Sequence, residues 1–171
     1  MTVMTSRPRP ESSPQPGSVR PAVSSPGMKL LLATDLSEAS SSATDQAFDL
    51  AARLGAELLV VSVIDPGSLL LPGGRFRARV DQVREHREQQ AQALVERGRV
   101  AGVEVSFLVW TGDPGDQIVS AAEAERVDMV VVGSHGRGAV GRLFLGSVSE
   151  HVVRNASCPV LVVRPPEAAP H

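Results

Sequence analysis

Five short strand-like runs rich in apolar residues punctuate this chain, and a stretch of helical periodicity separates each from the next. Lys29 to Thr34, Glu57 to Ile64, Val103 to Trp110, Asp128 to Gly133 and Pro159 to Val163 are the runs. A strand with one wet face alternates apolar and polar residues, whereas a strand covered on both faces reads as a continuous apolar run. In the first interval Ala39, Ala43, Ala47, Leu50, Ala51 and Leu54 recur at helical spacing, with Ser37 as N-cap and Gly55 as stop. A long helix is predicted from roughly Phe76 to Val100, with Val80, Val83, Ala91, Leu94 and Val95 turned inward. Ile118, Ala121 and Ala122 mark a third helix opened by Gly112-Asp113-Pro114, and a fourth runs from about Ser147 to Asn155. The order β-α-β-α-β-α-β-α-β implies an α/β fold, a five-stranded parallel sheet with helices on both faces.

Outside this pattern lie residues 1–27, which hold six prolines, six serines, three arginines and one glutamate but almost no large apolar side chain. Such a segment buries too little surface to offset its ordering entropy, so it is expected to be a disordered tail. Met28 stands directly before the first strand, which makes it a candidate for the translation start. Seventeen basic and nineteen acidic residues leave a formal charge of −2. That balance gives no electrostatic case for nucleic acid or an acidic membrane. The apolar runs are far shorter than the roughly 20 residues of a membrane-spanning helix. The arginines near the N-terminus have no apolar h-region beside them, so no secretory signal is expected. Cys158 is the single cysteine, which excludes an internal disulfide and fits a reducing compartment. The expected location is cytoplasmic.

In parallel sheets of this kind ligands bind beyond the carboxyl ends of the strands, where the strand order reverses. Asp35, the stretch Val63 to Asp65 and Gly133 all stand at such ends. The stretch from Met129 to Glu150 joins the fourth apolar run to a glycine-rich loop and then to Gly146-Ser147 at a helix start. Glycine permits close approach of a ligand, and the first turn of a helix offers N–H donors and a positive dipole end. Together they make an anion site, with phosphate the natural occupant. Gly136-Arg137-Gly138-Ala139-Val140-Gly141 matches the dinucleotide fingerprint as a bare pattern. It follows the fourth strand rather than the first, and about 20 residues further on stands Leu161 instead of a ribose-binding acid. Gly141 and Gly146 are spaced as in a phosphate-binding P-loop, but the lysine between Gly and Ser is absent.

A third pattern takes Gly133, Gly136, Gly146 and Ser147 together: Gly, two residues, Gly, nine residues, Gly-Ser. With Ala33-Thr34-Asp35, Val63-Ile64-Asp65, Gly133-Ser134-His135-Gly136 and the closing Cys-Pro-Val-Leu-Val-Val, it strongly resembles the ATP-binding branch of the universal stress protein family. The resemblance covers residues 28–166 and leaves 167–171 as a short C-terminal tail. It implies a Rossmann-like sheet of order 3-2-1-4-5. It also implies that Gly133, Gly136, Gly146, Ser147 and Ser149 hold ATP phosphates and ribose, that Asp35 contacts the nucleoside, and that the backbone of Val63 reads the adenine edge. Ala33, Thr34 and Val132 would line the pocket, with Ser134 and Val148 beside the phosphate grip. Ala33 stands where the family often has proline. Arg137 and Arg142 are candidates for phosphate pairing, because guanidinium forks suit phosphate, and His135 for a contact nearby.

The function implied is that of an ATP-binding stress-response regulator or sensor with at most slow hydrolysis. Mg or Mn would arrive on the phosphates, since the sequence has no metal-ligand constellation. AMP, ADP and cyclic AMP are alternative ligands. A homodimer through the last strand, Pro159 to Val163, is expected, because an apolar edge strand needs a cover. Two other readings stay open: an ATPase or nucleotidyl-transfer enzyme on a related fold, and a nucleotide-free dimeric interaction module.

Overall fold

The computed structural model describes residues 27–69, 76–134 and 145–165. Strand β1 (Lys29–Ala33) leads through a 3-10 turn (Glu38–Ser40) into α1 (Ser41–Leu54). Then come β2 (Glu57–Ile64), a second 3-10 turn (Gly67–Leu69), α2 (Phe76–Ala101), β3 (Val105–Thr111) and α3 (Pro114–Ala124). The chain continues with β4 (Met129–Gly133), α4 (Ser147–Asn155) and β5 (Val160–Val163). All strand pairs are parallel, and their order is β3-β2-β1-β4-β5, as the family resemblance implies. β1 is central. Its Leu32 pairs with Val60 on one side and Val131 on the other.

Helices cover both faces of the sheet at its inner strands β1, β2 and β4, which is why these read as near-continuous apolar runs. Leu31, Ala33, Leu59, Val61, Val130 and Val132 point to one face and pack on Ile118, Ala121 and Val152 of α3 and α4. Their neighbours Leu30, Leu32, Leu58, Val60 and Val131 point to the other face and pack on Ala43, Ala47, Phe48 and Ala51 of α1. Leu94 of α2 leans on that second cluster.

Three expectations for the first helix need correction. Leu54 is 47% exposed, and Phe48, at 4%, fills the inner face in its place. Ala39 falls in the 3-10 turn and is exposed, because the helix proper starts only at Ser41. Ser37 occupies the N-cap position of that turn but its side chain caps nothing there; its hydroxyl donates to Asp35 Oδ1 at 2.6 Å. Gly55 does end the helix, at φ 61° in the left-handed region that glycine enters without strain.

The long helix α2 buries only Ala91 and Gly98 fully. At Gly98 a Cβ would stand 2.2 Å from Val105 Cγ2 and 2.7 Å from the Val103 carbonyl, so only glycine lets α2 lie this close to β3. Nearer its start α2 is also docked by long polar side chains.

Candidate functional site

At the carboxyl end of the sheet a cleft of about 490 Å³ opens where the strand order reverses between β1 and β4. Its walls include Ala33, Thr34 and Asp35 after β1, Val63 and Asp65 at the end of β2, and Val132 and Gly133 of β4. Gly146, Ser147, Val148 and Ser149 close it from the start of α4. Ten of the fifteen candidate residues therefore meet on one cavity. Ser134 is an eleventh within the described residues, but it sits behind the wall at 2% exposure. His135, Gly136, Arg137 and Arg142 lie outside the described residues.

The loop after β1 is held by a chain of hydroxyls. Thr34 Oγ1 donates to Ser40 Oγ at 2.9 Å, and Ser40 Oγ donates to the Ser37 carbonyl at 2.7 Å. Thr34 Oγ1 also accepts from the Leu36 N–H at 3.0 Å. These bonds keep Leu36 at φ 59°, a left-handed conformation unusual for a side chain of that size. The bend places Asp35 at the cleft, where Oδ1 accepts from both the N–H and the hydroxyl of Ser37.

The start of α4 is built in the same way. Gly146, not Ser147, is the N-cap, and Ser147 is the first helical residue. The Gly146 N–H donates to the Ser134 carbonyl at 2.8 Å, so that donor is engaged within the protein. Ser149 Oγ is buried and faces two acceptors, the carbonyls of Gly146 at 2.9 Å and Ser134 at 3.2 Å. The first helical bond runs from Glu150 N–H to the Gly146 carbonyl, which leaves the N–H groups of Ser147, Val148 and Ser149 as the opening donors of α4. With the exposed hydroxyl of Ser147 they make a corner whose donors suit an anion.

Sequence reasoning missed Ser40, Val61, Ser68, Arg87, Pro114 and Ile118 as wall residues, and took Asp65 only as a strand end. Arg87 matters most. It belongs to a row on α2 that steps one strand for every three residues. Arg84 donates to the Val109 carbonyl and Thr111 Oγ1 of β3, and Arg87 donates to Ser62 Oγ and the Val63 carbonyl of β2. Gln90 reaches the Leu36 carbonyl after β1 at 3.4 Å. Periodicity alone assigns those side chains to a solvated face; only the spacing of three between long donors hinted otherwise.

Among the described residues no group of three His, Cys, Asp or Glu side chains is arranged to hold a metal, and no helix is long and apolar enough to cross a membrane.

The family model of the universal stress protein family matches residues 28–164, and the chain belongs to that family. It is 31% identical over 141 residues to universal stress protein MJ0531 of Methanocaldococcus jannaschii, covering 81% of this chain and 83% of that protein. Among solved structures, protein MJ0577 of the same organism superposes with a TM-score of 0.75 at 27% identity, over 83% of this chain and 99% of that one. A universal stress protein solved in complex with cAMP superposes with a TM-score of 0.58 at 26% identity, over 80% of this chain and 96% of that one.

Proposed function

We propose that the chain binds an adenine nucleotide, ATP in particular, in this cleft and serves as a nucleotide-dependent regulator or sensor in the response to stress. The observation that carries the proposal is the joining of two unlike ends in one cavity. One end is the start of α4, with the donors of Ser147 and Val148 suited to phosphate oxygens. The other lies along β1 and β2, where Asp35 suits a ribose hydroxyl and the walls of Ala33, Val61 and Val63 suit a flat base. The relative solved with cAMP supports an adenine nucleotide as the occupant.

In this reading Ser134 and Ser149 act indirectly. They hold Gly146, and through it the first turn of α4, at the mouth of the cleft. Any Mg or Mn would come with the phosphates. Asp35 is a poor base for water, because its Oδ1 accepts two hydrogen bonds from Ser37, and hydrolysis should be slow. We further propose a homodimer through β5, where Leu161 is 36% exposed.

The test is mass spectrometry of nucleotide released when the purified protein is denatured, with competition among ATP, ADP, AMP and cyclic AMP. Release or binding of an adenine nucleotide is expected. Turnover far above a slow background favours an enzyme instead, and a nucleotide-free dimer favours an interaction module.

A further inference from the structure

The end of β2 has a feature that bears on which base the cleft accepts. The Val63 carbonyl, on the wall of the cleft, already accepts a hydrogen bond from the Arg87 guanidinium. The same nitrogen donates to Ser62 Oγ at 2.9 Å, so the group is held from two sides. Arg87 is part-buried and is itself a wall residue, which places its positive charge within reach of whatever lies against β2.

An exposed strand end reads a heterocycle through one N–H donor and one C=O acceptor. The acceptor suits an exocyclic amine. When a guanidinium already donates to that carbonyl, a second donor must share the oxygen and approach a cation with the positive end of its own N–H. An oxo group turns its lone pairs toward the charge, while the ring N–H beside it opposes the strand's own N–H donor, so the two purine classes end close to one another.

We propose that Arg87 is a specificity-determining residue that shifts the base preference of the cleft away from 6-aminopurines and toward 6-oxopurines. The inference rests on the nucleotide-binding reading above and sharpens it. Adenine enters by sharing the Val63 carbonyl, and the discrimination between the two purine classes is small.

ATP and inosine triphosphate make the cleanest pair of probes, because their bases differ only at the 6-position and the adjacent ring nitrogen. Titration calorimetry of the full chain with each is expected to give dissociation constants within roughly threefold of one another. Arg87→Met keeps the aliphatic stem and frees the carbonyl, and it should move the ratio toward ATP by about tenfold, the size of one modest hydrogen bond. Arg84→Met removes the same kind of helix-to-strand tie away from the cleft and should lower stability with the ratio unchanged. Arg87→Lys, which keeps the charge, covers the case in which the methionine variant fails to fold, and should give a smaller shift in the same direction. If both triphosphates bind but the ratio stays fixed in the Arg87 variants, the inference is overturned and the nucleotide reading stands. If neither binds the wild type, the nucleotide reading is overturned and this inference falls with it.

Discussion

The backbone N–H of Gly146 donates to the carbonyl of Ser134 at 2.8 Å, and this bond fixes the first turn of α4 against the end of β4. Ser149 reinforces it by directing its buried hydroxyl at the carbonyls of Gly146 and Ser134. The donors at the mouth of the cleft are thus held in place before any ligand arrives, which lowers the ordering cost of binding.

Ser149→Ala removes that reinforcement. A buried hydrogen-bonding hydroxyl is lost while its carbonyl partners keep their backbone donors, so a destabilisation of about 1 kcal/mol is expected. Urea denaturation checks it. Affinity for ATP should fall with stability, because the helix start loosens.

Ser147→Asp is expected to move stability and binding in opposite directions. A carboxylate at the first position of α4 complements the helix dipole and should stabilise the empty protein by about 0.3–1 kcal/mol. The same charge repels phosphate, and affinity for ATP should drop at least about tenfold. Thermal melts with and without ATP separate the two effects.

The architecture was largely legible because the inner strands β1, β2 and β4 are covered on both faces and leave a continuous apolar signature. The positions of Asp35, Val63 and Gly133 at the sheet's carboxyl end followed from it, while the strand order came from the family resemblance. Contacts made by polar side chains across the fold were not legible. Arg87 sits on a helix face that resembles any solvated one, and its bond to Val63 depends on how α2 lies over β2. The hydroxyl of Ser149 reads in sequence as a ligand donor; its commitment to Ser134 appears only once β4 and α4 are side by side. Ala39 and Leu54 continue the helical period but fall beyond the part of α1 that faces the sheet.

Gly98→Ala tests the close approach of α2 to β3. The added carbon would stand within 2.7 Å of a backbone oxygen, which cannot move aside as a flexible side chain can. Overpacking of this kind is expected to cost about 1–3 kcal/mol, measured by chemical denaturation.

Cys158 should be slow to alkylate at neutral pH. Partial burial against the β4 side of the sheet raises its thiol above the ordinary range, and the negative charge of Asp128 adds to this against opposing backbone hydrogen bonds. The folded pKa lies above the unfolded one, so the contribution of this group to stability is present below the unfolded value and fades as pH rises through the folded one. Denaturation midpoints are expected to fall on the alkaline side, with the loss suppressed in Cys158→Ala.

Calorimetric titration of ATP into the wild-type protein, beside Gly136→Val, addresses the central claim most directly. Saturable one-site binding by the wild type and a loss of at least about tenfold in the variant are expected. Absence of binding by the wild type at millimolar ATP, or unchanged affinity in Gly136→Val, would contradict the account.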